Sequence, residues 1–371
     1  MDIRMQLSYG DAQAPVEEKM EGEDEKGRLS TPQNFYCLAL IMRFFTLFAA
    51  VALVATASEA APHNARDTSN EGNCTTNQRK AWQNLSDDEK AAYIDAELCL
   101  MSAPAKQFDW AQNRWDELVY GHVVQSNFIH NVGQFLPWHR LYMRAHEYLL
   151  QTECGYTGAQ PYWEEALDVD NLTASVVFDP DTGFGSAGTN GSCVSDGPFT
   201  KLELHITQYT NYANYCLTRE TNTDIFQGAT LDNIYECTNY TTYEEAYDCF
   251  QQNPHTAGHG GVGGTMLDVV ASPSDPLFFL HHTNLDRLWW NWQLDNLTHR
   301  LTDMGGRNVP TDSYLAQNNF TYPGPELLDY DGDAGNYTTL NHTLWMVGLI
   351  ANATVGDVMD LRGDLICAEY V

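Results

Sequence analysis

The stretch from Phe128 to Glu147, FIHNVGQFLPWHRLYMRAHE, restricts the folding of this chain more than any other. His130 and His139 stand nine residues apart, with Gly133 and Pro137 between them. At about 100° per residue an unbroken helix would turn such a pair to opposite sides, so the chain must break between them. Pro137 suits the first turn of a new helix, where its missing N–H costs nothing, and this puts His139 close to that helix's start. His130 is then expected to end the preceding helix. His122, eight residues before His130, lies roughly 80° from it around a helix, near enough to join both through a bend. Three imidazoles in one place are enough for a metal site.

A second group lies far along the chain in NPHTAGHGGVGG, where His255 and His259 sit at i,i+4 and so share one helix face. A third candidate follows in DPLFFLHHTNLDRLWWNWQ, at His281 or His282. Imidazole suits copper, zinc, iron and nickel, so the count alone does not name the metal. A zinc hydrolase built on HxxxH needs Glu directly after the first histidine as general base. Thr256 stands there instead, which argues against zinc proteolysis.

GQFLPWHRLY with its upstream histidines, the Pro161–Trp163 segment, HxxxH and DPLFFLHHxNLDRLW, in that order, resemble the coupled dinuclear (type 3) copper family of tyrosinases, catechol oxidases and related phenol oxidases. The likeness spans roughly residues 74–371 and is nearest to short fungal members that carry no C-terminal shielding domain. It implies a mainly α fold, with a central four-helix bundle holding a dicopper site, long loops and minor β structure. It also implies two copper ions as cofactor, one on His122, His130 and His139, the other on His255, His259 and His282, with His281 as a neighbour. Phe278, Thr256 and Gly260 then fall at the substrate pocket. A ligating imidazole needs an acceptor for its other N–H. Backbone carbonyls, Asn284, Asp286 and Glu147 are the candidates, although Asp286 can equally pair with Arg287.

The activity implied is oxidation of small phenols, o-diphenols or o-aminophenols, to o-quinones or quinone imines at the expense of O2. Relatives that hydroxylate monophenols often carry Asn after the first histidine of the second group; with Thr256 there, weak or no monophenol hydroxylation is expected. A true tyrosinase is the alternative, and an oxygen carrier, which needs a shielding element, is more remote. Phe128 stands where some members have a cysteine bonded to an imidazole, so no thioether is expected. The usual PYWDW reads Pro161-Tyr162-Trp163-Glu164-Glu165, a departure that bears on local packing. Glu244, Glu245 and Gln251 are the candidates for positioning the catalytic water. His146 is expected to pack, and His63, His205, His299 and His342 carry no pattern.

A formal charge of −31 and a pI near 4.4, with no offsetting basic run, argue against nucleic acid or a stable membrane association as partners. Residues 1–41 are polar and acidic and read as a disordered extension upstream of the true start. At 42–60, MRFFTLFAAVALVATASEA has the charged, apolar and small-residue regions of a secretory signal, leaving 61–371 as one secreted, extracellular copper domain. After Cys37, eight cysteines remain (Cys74, Cys99, Cys154, Cys193, Cys216, Cys237, Cys249 and Cys367), enough for up to four disulfides, with Cys237 and Cys249 plausible as a short loop. Ten Asn-x-Ser/Thr sequons, Asn73 and Asn190 among them, point to a glycosylated surface.

Ser86 is placed to cap a helix that runs to Pro104, and a second helix begins at Pro137 and closes at Cys154-Gly155. Residues 168–200 read as loop, and 228–254 as a Cys- and Tyr-rich connection.

Overall fold

The computed structural model describes residues 77–188, 191–208, 210, 213–322 and 332–371. The upstream extension, the signal segment, His63, Cys74, Asn73 and Asn190 lie outside these residues.

Ser86 opens α1 (Asp87–Ser102) with a reciprocal capping box to Glu89, three acids fill the first turn, and the helix stops at Ala103 ahead of Pro104. Asn113 caps α2 (Arg114–Val123) through the Asp116 N–H, and α3 (Phe135–Glu153) follows after a run of turns. The remaining helices are α4 (Thr223–Phe226), α5 (Leu231–Thr238), α6 (Tyr243–Phe250), α7 (Thr256–Val262), α8 (Leu277–Leu294), α9 (Leu297–Arg300), α10 (Asp312–Gln317) and α11 (Val355–Val358). β1 (Gln78–Arg79) pairs in parallel with β6 (Glu369–Tyr370). β2 (Glu203–Leu204) is antiparallel to β3 (Tyr215–Cys216), and β4 (Thr343–Leu344) to β5 (Ala353–Thr354). The fold is mainly α with minor β, as expected, and α2, α3, α7 and α8 form the centre that carries the histidines.

α3 and α8 face each other through fully buried side chains, Leu141, Tyr142 and Ala145 on one, Phe278, Phe279 and Trp289 on the other. At about 25 cal/mol per Å2 this apolar seam is the main force holding the two helices together. Charged groups enter it only with partners. Arg140, fully buried, places its Nε 2.5 Å from Asp286, donates to the carbonyls of Val358 and Met359, and stacks 3.7 Å over Trp289. Arg79 on β1 reaches Asp286 at 3.3 Å and Glu147 at 3.4 Å. Buried charges survive only when paired in this way. The Trp289, Trp290 and Trp292 cluster is therefore packing.

The connection expected at 228–254 instead contains α5 and α6. Each places buried groups three or four residues apart, Ile234 and Cys237 on α5, Tyr243, Ala246, Tyr247 and Phe250 on α6. Thr242 caps α6 through the Glu245 N–H, and Cys237–Cys249 joins the two helices. Cys99–Cys154 ties the end of α1 to the end of α3, and Cys193–Cys216 closes a loop onto β3. Cys367 has no disulfide partner among the described residues. None of the described helices is long and apolar enough to cross a membrane.

Candidate metal centre

His122 lies on the last turn of α2, its Nδ1 2.8 Å from the Val270 carbonyl. The next residue, Val123, ends the helix, so His130 sits among the turns that follow rather than at a helix end as expected. The helix gives out seven residues before His130, and two residues beyond it make the break from His139. Asn131 takes φ 59°, a left-handed conformation that a helix cannot absorb, and a Cβ on Gly133 would lie 2.1 Å from the Gly305 carbonyl oxygen. His130 Nδ1 is held by the Ser126 carbonyl at 3.0 Å. Pro137 occupies the first turn of α3, and His139 Nδ1 is 2.8 Å from the Phe135 carbonyl one turn back.

In the second group, Pro254 lies in a wide turn, Gln251–His255, that delivers the chain into α7. His255 Nδ1 is held by the Gln251 carbonyl at 3.2 Å and His259 Nδ1 by the Met266 carbonyl at 2.7 Å. α8 contributes His281 and His282. His282 Nε2 is 3.1 Å from His259 Nε2, and its ring stacks on that of His139 with centroids 4.3 Å apart. This stack joins the two groups. Within each, the available nitrogens of His122, His130 and His139, or of His255, His259, His281 and His282, lie within 4.8 Å of one another.

The arrangement fits a metal-binding role on its own chemistry. The Nε2 atoms of His122, His139 and His255 are buried with no hydrogen-bond partner, while each Nδ1 is fixed by a backbone carbonyl. A buried polar atom left unpaired costs about 1–3 kcal/mol, a cost that a bound cation removes. Burial also pushes His130 down to about 4 and holds His122, His139, His255, His259 and His282 well below the ordinary imidazole range. The rings are thus kept neutral, the form that ligates. An all-imidazole donor set suits copper among other borderline metals.

His130 of the first group and His255 and His259 of the second line one space. An inner hollow of about 150 Å3 is lined by His130, His255, His259, Thr256 and Gly260, and it continues past His130, His255 and Thr256 into an outer one of about 430 Å3. Thr256 and Gly260 both line the inner hollow, and the Thr256 hydroxyl is donated to the Gln251 carbonyl at 3.0 Å. Phe278 is not at the pocket surface. Fully buried, it packs with its centroid 4.1 Å from His282 and 5.4 Å from His122. Gln251 lines the outer hollow and accepts the Asn131 N–H at 2.8 Å, whereas Glu244 and Glu245 are exposed and line neither hollow.

The expected acceptors need correction. Asp286 and Glu147 do not hold an imidazole; Asp286 serves Arg79 and Arg140, and Glu147 serves Arg79, Arg144 and the Gln160 N–H. Nor does Asp286 pair with Arg287, which reaches Asn284 and Glu164. The reason is reach. Arginines from β1 and α3 satisfy those carboxylates, and backbone carbonyls already hold five of the rings. Asn284 donates to Glu165 at 3.3 Å, and the other Glu165 oxygen lies 2.5 Å from His281 Nδ1. Glu165 was missed as a partner. Its only signal was the second glutamate of PYWEE, and the segment docks on α8 through the Trp163 N–H to the Leu280 carbonyl at 3.2 Å. The other histidines are structural or exposed: His146 binds Gln160 and Glu97, His205 binds Asp116, His342 binds Asp333, and His299 is on the surface.

Residues 112–295 match the family described as the common central domain of tyrosinase. The tyrosinase-like protein phomQ1' of Diaporthe leptostromiformis is 31% identical over 316 residues, covering 79% of both chains. The N-acetyl-6-hydroxytryptophan oxidase ivoB of Emericella nidulans is 29% identical, covering 79% of this chain and 91% of its own. In fold, a single-residue mutant of a polyphenol oxidase from Thermothelomyces thermophila superposes with a TM-score of 0.67 at 24% identity, over 79% of this chain and 88% of that one. With the two histidine groups stacked against each other within such a fold, the chain belongs to the tyrosinase family and is a copper-dependent phenol oxidase.

Proposed function

We propose that this oxidase converts o-diphenols or o-aminophenols to o-quinones or quinone imines, with weak or no monophenol hydroxylation. It would hold two copper ions, one on His122, His130 and His139 and one on His255, His259 and His282. The observation that carries this is the set of buried Nε2 atoms left without partners in two adjoining histidine groups while backbone carbonyls fix the opposite nitrogens. Copper supplies the redox capacity that couples two-electron oxidation of the phenol to reduction of O2 to water.

The protein's own part is geometric and electrostatic. Carbonyls of Ser126, Phe135, Val270, Gln251 and Met266 set ring tautomer and angle, and burial keeps the imidazoles neutral. Phe278 packs behind the rings of His282 and His122 and fixes their positions. Two features favour the diphenol reading. The Thr256 hydroxyl is turned back to a carbonyl rather than toward the hollow, and Gln251, the water-positioning candidate at the hollow, is an amide with its oxygen engaged by Asn131. An amide is a feeble base for removing a phenolic proton, whereas an o-diphenol needs less help. Residues 42–60 would direct secretion of a single 61–371 catalytic domain; the three disulfides among the described residues support an oxidising destination.

The test is copper analysis together with initial rates on catechol, 2-aminophenol and tyramine. Two copper ions per chain, fast oxidation of the first two substrates and at least a hundredfold slower tyramine turnover are expected. Tyramine turnover rivalling catechol makes the protein a true tyrosinase instead.

A further inference from the structure

The two hollows above the histidines differ in character. The inner one, at about 150 Å3, is walled by imidazoles together with Gly260, Met266, Leu267 and Val269. A cavity of about that size holds one benzene ring. The outer one, at about 430 Å3, is nearly three times larger and carries five side-chain amides, Asn131, Gln251, Gln252, Gln317 and Asn318. Among the described residues lining either hollow there is no Lys, Arg, Asp or Glu.

We infer that the phenol is presented on an uncharged amide-bearing chain, as an aromatic amino acid blocked on both sides in the manner of a peptide residue, and not as a free amino acid. This deepens the phenol-oxidase reading above and rests on it. A side-chain amide offers a donor and an acceptor together, which matches a secondary amide group for group; Gln251 keeps chiefly its NH2 and Asn318 chiefly its oxygen for this, since their other ends bind the Asn131 N–H and the Tyr314 carbonyl. Moving such a group from water to this wall exchanges hydrogen bonds at near parity. The ammonium and carboxylate of a free amino acid would shed hydration with no counter-charge to meet them. For the carboxylate the penalty is compounded by a chain of formal charge −31, whose field repels anions. Volume points the same way, because the outer hollow exceeds what an amino acid backbone alone would fill, and it accommodates flanking residues.

The test keeps one ring and varies its charge. Copper-loaded enzyme is given 4-methylcatechol, 3,4-dihydroxyphenylalanine, its N-acetyl acid, its N-acetyl amide and a capped tripeptide with the same residue at its centre. The neutral amide and the tripeptide should exceed both charged forms by about tenfold or more in kcat/KM, chiefly through KM. Equal or better use of the free amino acid overturns the inference. 4-Methylcatechol needs only the inner hollow, so failure to oxidise it counts against the phenol-oxidase reading itself. Its oxidation without any preference among the others sinks only the present inference. A second arm uses Gln317→Lys on the exposed face of α10, which should raise the N-acetyl acid several-fold relative to its amide. An unchanged ratio counts against the assignment. Binding to metal-free protein gives a readout without turnover: N-acetyl-phenylalanine amide should bind more tightly than phenylalanine, and the reverse order overturns the inference.

Discussion

His281 Nδ1 lies 2.5 Å from an oxygen of Glu165, and both side chains are buried beside the second histidine group. Glu165→Ala leaves that ring and the Asn284 amide without their acceptor. A loss of about 1–3 kcal/mol is expected in urea unfolding of the metal-free protein. Copper retained by the second group against a chelator should fall by about tenfold, as for other groups that support ligands from behind. Unchanged stability together with unchanged copper retention would show that the pair does nothing for the centre.

Gly258, between His255 and His259, is the position where a methyl group has no room. A Cβ there would lie 2.1 Å from His281 Nδ1 and 2.8 Å from Glu165. In an open helix the change to alanine stabilises by about 1 kcal/mol. Here the sign reverses, and Gly258→Ala should lower both the melting temperature and the copper-to-protein ratio. Wild-type values for both would contradict the packing.

Joining α5 to α6, Cys237–Cys249 closes a loop with a separation of 12 residues immediately before the turn that carries His255. Replacing both cysteines by serine should cost about 3 kcal/mol, read as a lowered denaturation midpoint. A shift well under 1 kcal/mol would mean that packing alone holds the two helices.

Acid should destabilise the metal-free protein. The folded-state value of His130 is depressed to about 4, below that of the unfolded chain, so between pH 6.5 and 4 the unfolded state binds more protons. Stability therefore falls as pH falls through that window. His130 alone accounts for on the order of 3 kcal/mol by pH 4, and the other depressed imidazoles add to it. Denaturation midpoints flat across that range would refute the buried neutral rings.

Local chemistry was readable along the chain wherever a short pattern decided it. Ser86 announced a helix cap, Pro137 a helix start, and the i,i+4 spacing of His255 and His259 a shared face. What escaped depended on distance. α2 stops at Val123, seven residues short of His130, and Gln125 just beyond it reaches the Trp345 carbonyl, a neighbour remote in the chain. Asp286 and Glu147 looked free to serve imidazoles because Arg79, on the first strand, gives no sign of where it will dock. α5 and α6 were hidden by their eight-residue lengths, too short for periodicity to outweigh the turn-forming residues around them. Glu165 stood in plain view in a departing motif, but only the fold shows that α8 brings His281 to it.

The parallel pairing of β1 with β6 carries a liability. Tyr370 shares Asp286 with Arg79 and Arg140, and Asp286 is one helical turn along α8 from His282. Losing the Tyr370 ring would strip a partner from that carboxylate and loosen the register of β1 in the same stroke, so a single phenol couples the anchoring of the first strand to the helix that carries His282.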